Sequence, residues 1–177
     1  MSLKHAILVM LETEPGSGYD LMRHFRQRLG YFWNAKHQQV YQQLKQLAID
    51  GYIEYTLEAQ ADKPDKKVYS ITPAGVEELR QWIAAPVAPN KINDPLLVKL
   101  YGGHLSDRDN LLAELERHID THRRRLQELE AIEQTLLSFD KAEQEAMKYP
   151  YITLRRGILG ERAWLDWAAE AQQIINK

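Results

Sequence analysis

The sequence predicts a mainly α-helical protein with one small β-hairpin, and three observations indicate this fold class. Only one stretch, near residues 51–72, alternates apolar and polar residues with the period of two that a strand requires. Elsewhere the apolar residues recur every three or four positions, as they do on one face of a helix. Two strands alone are unstable in water, so we expect the hairpin to pack on helices.

Two helices are predicted at the start of the chain. The first covers about residues 3–12 and ends before Pro15-Gly16, which is a strong helix breaker. The second begins at Ser17, because Asp20 stands three residues later and completes a capping-box pattern. The apolar residues of this second helix repeat at four-residue spacing: Leu21, Phe25 and Leu29.

A third helix over about residues 36–50 precedes the hairpin. Its apolar residues form one helical stripe: Val40, Leu44 and Leu47. The strands are predicted over residues 51–58 and 67–72, with a polar loop over residues 59–66 that has Pro64 at its tip.

The second half of the chain is predicted to be helical throughout. A fourth helix begins at Thr72-Pro73, and the two prolines of residues 85–90 end it, which makes this stretch the candidate domain boundary. A short helix over residues 94–101 follows, a long helix begins at Ser106, and a last helix covers about residues 151–176.

The long helix carries an apolar stripe of about 30 residues, which favours a coiled coil or an interlocking dimer. An intramolecular hairpin with the last helix is the alternative, and the two are compatible. Trp164 and Trp167 lie on one face of the last helix, where they could be core or dimer-interface anchors or could line a pocket for a planar ligand. The candidate dimerisation residues are Leu111, Leu115, Ile119, Leu126, Leu129, Trp164 and Trp167.

The order helix–helix–helix–hairpin is typical of a winged helix-turn-helix, in which the third helix reads DNA. A glutamine amide donates and accepts at once, as the major-groove edge of adenine requires, while lysine and tyrosine suit phosphates. A solvated helix face is the alternative interpretation. The candidate DNA-binding residues of this helix are Lys36, Gln38, Gln39, Tyr41, Gln42 and Lys45.

Basic residues are concentrated in the second and third helices, although the whole chain has a formal charge of -2. Between residues 20 and 49, Asp20 is opposed by five basic residues: Arg23, Arg26, Arg28, Lys36 and Lys45. The hairpin adds Lys63, Lys66 and Lys67 as candidate contacts to the DNA backbone, although such a turn could also serve solubility.

Several classes of protein are disfavoured. The sequence has no cysteine, nucleophile elbow or glycine-rich phosphate loop, so we expect no enzyme. Glu114, His118 and His122 share a helix face, but this spacing matches no known metal signature, and we expect neither a metal nor another cofactor. The longest apolar run, residues 6–11, is too short for a membrane helix or a signal peptide, so we expect a cytoplasmic protein that does not contact membranes.

Three motifs of the first half resemble the PadR family of transcriptional regulators. They are Gly18-Tyr-Asp-Leu21, the pattern Val40-Tyr41-x-x-Leu44-x-x-Leu47-x-x-x-Gly51-Tyr-Ile53, and Val68-Tyr-Ser-Ile-Thr-Pro-Ala-Gly75. The remainder, from about Asp94, is similar to the helical C-terminal domain of virulence-activator-type members. That similarity rests on Arg155-Arg156-Gly157, Glu161 and Trp164-x-x-Trp167.

The resemblance implies a winged-helix DNA-binding domain over residues 1–85 and a helical dimerisation domain over residues 94–177. It also implies a homodimeric repressor or activator and a small phenolic or amphipathic effector. Many members have proline after the tyrosine of the third helix, where this chain has Gln42, so base contacts there are expected to differ.

We therefore expect a sequence-specific, DNA-binding transcriptional regulator, a dimeric repressor of a pseudo-palindromic operator in double-stranded DNA. The alternatives are a protein–protein adaptor that uses the winged module without DNA, and a sensor whose DNA affinity does not respond to its ligand.

Overall fold

The computed structural model describes residues 3–25, 33, 35–60, 63–89 and 93–177, except for the side chains of residues 60, 63 and 64. Leu29 of the predicted apolar stripe and the basic residues Arg26 and Arg28 lie outside the described residues. The chain divides into two compact units, Met1–Pro89 and Asn90–Lys177. The predicted fold class, mainly helical with one two-stranded antiparallel hairpin, is confirmed.

The first unit consists of four helices and the hairpin. In chain order its elements are α1 (Leu3–Thr13), α2 (Gly18–His24), α3 (His37–Ile49), β1 (Ile53–Gln60), β2 (Lys63–Ile71) and α4 (Pro73–Ala84). Its core consists of apolar side chains from all six elements, and the largest fully buried ones are Ile7, Leu8, Leu11, Leu21, Val40, Leu44 and Leu47.

Local hydrogen bonds explain where the helices of the first unit begin and end. The Ser17 hydroxyl accepts a bond from the Asp20 N–H (3.2 Å), and the Asp20 carboxylate accepts one from the Ser17 N–H (3.1 Å), which confirms the predicted capping box. The Thr72 hydroxyl caps α4 by accepting a single bond from the Gly75 N–H (3.1 Å). Gly51, with φ of 74°, ends α3 in the left-handed region that favours glycine.

The hairpin turn is shorter than predicted, because β1 is shifted by two residues and β2 is longer. β1 continues to Gln60 and β2 begins at Lys63, so Pro64 lies inside β2 rather than at the tip of a loop. This is physically acceptable because neither strand of a two-stranded sheet needs every N–H for pairing. Gly16 extends the sheet further, since it forms an isolated antiparallel bridge with Tyr69 of β2.

The second unit is helical throughout its described residues. Its elements are α5 (Pro95–Tyr101), a 3₁₀ turn (Gly103–Leu105), α6 (Arg108–Leu137), α7 (Lys141–Ala146) and α8 (Lys148–Ile175). Two starts differ from prediction: α6 begins at Arg108 rather than Ser106, and α8 begins three residues early because Pro150 is tolerated in a first turn. Helix α7 was not predicted, although Asp140 and Glu143 form a capping box that signals it.

Helices α6 and α8 form an antiparallel pair. Their cross-links show the direction, because Glu116 near the start of α6 bonds to Gln172 near the end of α8, while Glu133 bonds to Arg155. Leu115, Ile119 and Leu129 of the long apolar stripe are buried in this chain alone. The pairing of α6 with α8, which the sequence offered as the alternative to a dimer, covers these three residues, while Leu111, Leu126 and Ile132 keep accessible surface.

Candidate nucleic-acid interface

The exposed face of α3 lies opposite its buried stripe. Three residues of this helix have no exposed surface: Val40, Leu44 and Leu47. With 3.6 residues per turn, the opposite side of the helix carries Gln38, Gln42 and Lys45, and all three are exposed. None of these three side chains bonds to another described residue. They are therefore available to a partner outside the chain, as a reader of base edges and phosphates must be.

Two of the glutamines have structural partners instead. The Gln39 Oε1 atom accepts a hydrogen bond from the Lys36 N–H (3.1 Å) and so closes the first turn of α3. The Gln46 Nε2 atom donates to Asp50 Oδ1 (2.7 Å) at the other end of the helix. Gln39, a predicted DNA-binding residue, therefore has its oxygen engaged, although its amide N–H groups remain exposed with the rest of the side chain.

The ring of Tyr41 packs over the backbone of α2. A Cβ atom added to Gly18 would lie 2.6 Å from Tyr41 Cζ and 2.8 Å from its hydroxyl oxygen, so only glycine allows this approach. The His37 ring also contacts the phenol, with 4.6 Å between centroids. Tyr41 as a whole stays 42% exposed. His37 was missed from the sequence, although its i, i+4 spacing to Tyr41 was a usable signal.

The lysines of the hairpin have different environments. The Lys67 ammonium lies over the Tyr55 ring, 4.2 Å from its centroid. The Lys66 ammonium lies 3.1 Å from Asp20 Oδ2, so part of its charge is already compensated. Lys63 lies in β2, while its side chain is outside the described residues. All three lysines therefore belong to β2, although the sequence placed Lys63 and Lys66 in the loop, and the successive residues Lys66 and Lys67 lie on opposite faces of the hairpin.

Asp20 is the most strongly stabilised carboxylate of the first unit's described residues. The Ser17 hydroxyl (2.7 Å), the Ser17 N–H and the Lys66 ammonium lower the pKa of Asp20 to about 2, against the opposing effect of burial. Arg23 lies 3.5 Å from the other carboxylate oxygen. One acidic group thus connects the start of α2 to the hairpin within a basic region.

The candidate dimerisation residues divide into two groups. Leu115, Ile119 and Leu129 are at most 4% exposed within one chain, so they stabilise the α6–α8 pair and offer almost no surface to a second copy. The others keep part of their surface accessible: Leu111, Leu126, Trp164 and Trp167.

Trp164 already has aromatic partners in its own chain. The His122 ring stacks on it at 3.7 Å between centroids and 14° between planes, and Trp167 contacts it edge-on at 5.4 Å. Glu161 binds both His122 and Arg125, which holds the histidine in this stack. One face of the indole is therefore covered, and a planar ligand would have to use another face or Trp167.

Glu114 and His118, considered above as possible metal ligands, lie in a network of charged side chains. Lys99 and Arg117 bind the Glu114 carboxylate and lower its pKa to about 2. His118 Nε2 lies 3.8 Å from the same carboxylate. The described residues contain no group of three or more histidine, aspartate or glutamate side chains with metal-site geometry.

A cavity of about 520 Å³ opens in the second unit between α5, the start of α6 and the end of α8. Leu100, Trp167 and Ile175 form part of its apolar wall, and its polar lining includes His104, Arg108 and Glu170. Its volume is within the roughly 300–1,000 Å³ of small-molecule sites.

In the described part of the chain, no helix is long and apolar enough to cross a bilayer.

Two family models match the chain, one in each unit. Residues 7–81 match the Transcriptional regulator PadR-like family, and residues 92–176 match Virulence activator alpha C-term. A full-length relative, the probable transcriptional regulator Rv1176c of Mycobacterium tuberculosis, is 34% identical over 194 aligned residues, which cover 100% of this chain and 99% of that protein.

Solved structures resemble the chain over nearly its whole length. The negative transcriptional regulator PadR of Bacillus subtilis, solved in complex with operator DNA, matches with a TM-score of 0.83 and 29% identity over 98% of both chains. The same protein has been solved with p-coumaric acid, and that structure matches with a TM-score of 0.79, at 26% identity over 99% of this chain and 96% of that one.

The virulence activator AphA of Vibrio cholerae matches with a TM-score of 0.77 and 31% identity, over 99% of this chain and 98% of that one. These similarities extend through both units. They confirm the resemblance inferred from the three sequence motifs. The chain belongs to the PadR-like family of transcriptional regulators.

Proposed function

We propose that this regulator is a dimeric repressor that binds a pseudo-palindromic operator and releases it in response to a small molecule. The observation that carries the DNA-binding part is the exposed face of α3. Gln38, Gln42 and Lys45 project there without a partner among the described residues, opposite the buried stripe. A helix packed on the core by one face and polar on the other is what the major groove accepts.

Each predicted DNA-binding residue has a role in this proposal. Gln38 and Gln42 read base edges, with Gln39 contributing its amide N–H groups. Lys36 and Lys45 bind phosphates, and the Tyr41 hydroxyl donates to a phosphate oxygen. The hairpin lies along the neighbouring backbone or minor groove through Lys63, Lys66 and Lys67.

The two units have separate tasks in the proposal. Residues 1–85 form the DNA-binding domain and residues 94–177 the dimerisation domain. Bacillus subtilis PadR supports the first assignment and the repressor role, since it is a negative regulator that has been solved on operator DNA. A two-fold dimer would present two copies of α3 to two half-sites.

Exposed apolar residues support dimerisation through the second unit. Helix α5 and the turn after it leave a row of large apolar side chains 44–93% exposed: Leu97, Val98, Tyr101 and Leu105. A water-soluble surface rarely leaves such a row uncovered, and a second copy of the chain would cover it. Leu111, Leu126, Trp164 and Trp167 would add their accessible surface.

The cavity of the second unit is where we place the small-molecule site. Trp167 and Leu100 would contact an apolar or aromatic body, and Arg108 and His104 would attract a negative group. The p-coumaric acid complex of Bacillus subtilis PadR supports an amphipathic effector of this kind. Such a ligand changes operator affinity only if it binds the DNA-bound and DNA-free arrangements unequally.

The test is a binding titration of the full-length chain with the promoter upstream of its own gene, at two salt concentrations. We expect Gln38→Ala and Gln42→Ala to lower the preference for promoter over shuffled DNA, with little change in affinity for the shuffled duplex. Gln81→Ala is the matched control, because Gln81 is an exposed glutamine on α4 that bonds to Glu77.

Two results would contradict the proposal. Equal loss of affinity on every sequence would show that the glutamines do not read bases. No binding to any duplex at low salt would favour the protein–protein adaptor instead. A light-scattering mass near the 20.6 kDa of one chain at micromolar concentration would contradict the dimer.

A further inference from the structure

The hairpin is attached to the start of α2 by a carboxylate. Asp20 Oδ2 accepts hydrogen bonds from the N–H (3.1 Å) and hydroxyl (2.7 Å) of Ser17 and lies 3.1 Å from Lys66 Nζ. The capping box of α2 and the lysine of β2 thus share one oxygen atom. Both side chains are partly withdrawn from water, with 21% exposure for Asp20 and 35% for Lys66.

Lys66 also has an acidic neighbour in its own hairpin, which is closer to it in the sequence than Asp20 is. It pairs across the strands with Glu58, and a bond between the two would strengthen the hairpin alone. Among the described residues, however, the Lys66 ammonium contacts Asp20 and not Glu58. The ion pair therefore connects the hairpin to α2 and does not connect β1 to β2.

A second attachment lies on the same strand. The Gly16 N–H donates to the Tyr69 carbonyl and the Tyr69 N–H donates to the Gly16 carbonyl, both at 3.0 Å. Tyr69 is three residues from Lys66, so the two attachments are about 10 Å apart along β2. Tyr69 is also buried in the core, so this end of β2 is held firmly, and the Lys66 ion pair is a further attachment nearer the free end of the hairpin that limits its pivoting.

We propose that Asp20 is a positioning residue for DNA recognition, which fixes through Lys66 the direction in which the hairpin projects from the rest of the winged unit. This inference rests on the DNA-binding function proposed above. A hairpin that projects in a fixed direction contacts the DNA backbone only when α3 lies at one position in the major groove. Asp20 therefore contributes to the preference for the operator over other DNA.

Electrostatics alone makes the opposite prediction, which allows a clear test. Removing a negative charge beside a DNA-binding surface raises affinity for any duplex, and it also releases Lys66 to a phosphate. A positioning role instead predicts weaker operator binding and unchanged or tighter binding to other DNA. The two explanations thus differ in the sign of the change at the operator.

The experiment uses the full-length chain, with Asp20→Asn as the main variant because asparagine keeps the size and an acceptor for Ser17. Fluorescence anisotropy gives the Kd for promoter DNA and for a shuffled duplex of equal length. We expect the ratio of shuffled to promoter Kd to fall by about fivefold or more, as for a lost pair interaction. A smaller fall or a rise overturns the proposal.

Companion variants separate positioning from charge and from capping. Lys66→Gln should lower the ratio as Asp20→Asn does, and the double variant should be no worse than either single one, because both remove the same contact. Glu58→Gln is the matched control, a hairpin carboxylate without this attachment, and should leave the ratio unchanged. The proposal would also be overturned if the effects of the two substitutions on the Kd ratio added in the double variant, or if Glu58→Gln lowered the ratio equally.

A readout without DNA keeps this inference distinct from the proposed function. Amide hydrogen exchange of the free protein should be faster at Tyr69 and its neighbours in Asp20→Asn than in Glu58→Gln, with α1 unchanged. Equal exchange at Tyr69 in the two variants overturns the positioning role. If the wild-type chain does not distinguish promoter from shuffled DNA, the proposed function fails, while this measurement still tests the attachment.

Discussion

The phenol ring of Tyr41 lies against the α-carbon of Gly18, and this contact joins α3 to the first turn of α2. The distance of 2.6 Å from Tyr41 Cζ to a Cβ at position 18 means that the ring must move if any other residue stands there. Gly18 and Tyr41 are 23 positions apart in the sequence, and one contact explains both of the motifs to which they belong. Because Tyr41 belongs to the proposed DNA-binding face, this contact can be used to test that proposal.

The first prediction follows from this contact. Gly18→Ala should displace the Tyr41 ring and destabilise the first unit by about 1–3 kcal/mol, the usual cost of overpacking. Promoter affinity should fall further than stability alone explains, because the tyrosine hydroxyl and α3 shift together. Urea unfolding and anisotropy titration measure the two effects. The double variant Gly18→Ala/Tyr41→Ala should recover stability but not affinity, and a failure to recover stability would contradict the steric explanation.

The second prediction concerns Lys45. If its ammonium binds a phosphate, Lys45→Gln should weaken binding to promoter and shuffled DNA alike and reduce the slope of log K against log salt by about 1. Lys99→Gln is a suitable control, since Lys99 belongs to the second unit and pairs with Glu114. An unchanged salt slope for Lys45→Gln would remove this residue from the set of phosphate contacts.

The third prediction concerns acid stability. The pKa of Asp20 is lowered from 3.8 to about 2, so its contribution to folding is complete above about pH 4 and is lost as the pH falls towards 2. Asp20→Asn should therefore be less stable than the wild type at pH 7 and approach it near pH 2. Urea unfolding at pH 7, 4, 3 and 2 measures this.

The control for the acid series is Asp65→Asn, which removes a hairpin carboxylate that contacts no other described residue. It should change stability much less, and by a similar amount at each pH. A stability difference between wild type and Asp20→Asn that does not shrink towards pH 2 would contradict the assignment of the low pKa to this group.

The fourth prediction distinguishes residues that stabilise the α6–α8 pair within one chain from residues of the proposed dimer interface. Leu115→Ala should cost about 2–5 kcal/mol of unfolding free energy, because Leu115 is completely buried within one chain. Val98→Ser should instead lower the fraction of dimer in light scattering, since Val98 is 73% exposed. A dimer that survives Val98→Ser together with Tyr101→Ser would place the interface elsewhere.

The fifth prediction tests the cavity. In calorimetric titrations with p-coumaric acid, Arg108→Gln should weaken binding about tenfold or more, because a carboxylate loses a charged partner. Arg123→Gln is the matched control, since Arg123 lies on the same helix and pairs with Asp120. Equal affinity of the two variants would indicate that the ligand binds at another place or in another orientation.

Much of the fold could be predicted because it depends on local signals. The Ser17–Asp20 capping box, the Thr72-Pro73 start of α4 and Gly51 after α3 each act within a few residues, and the structure has each of them as expected. The ends of the hairpin were less predictable, since β2 begins at Lys63, before Pro64, and Lys63 pairs with Gln60. Pairing depends on the opposite strand, and no local pattern reports it.

The candidate site was predictable in part. The face of α3 follows from helical periodicity once its buried stripe is known, which is why Gln38, Gln42 and Lys45 could be named in advance. The engagement of Gln39 with the Lys36 N–H could also have been inferred from its position in the first turn. The contact of Lys66 with Asp20 could not, because 46 residues separate them and Glu58 offered a nearer partner.

The sequence by itself determined the helical periods, the helix caps, the single hairpin and the family to which the chain belongs. These depend on residue types at short, regular spacing. Only the tertiary structure decided which surfaces are buried or paired within one chain. Helix α8 covers Leu115, Ile119 and Leu129, Tyr41 packs against Gly18, and Asp20 forms an ion pair with Lys66. The physical reason is that burial and ion pairing depend on distances in space, and a one-dimensional pattern records a preference for burial without naming the partner that provides it.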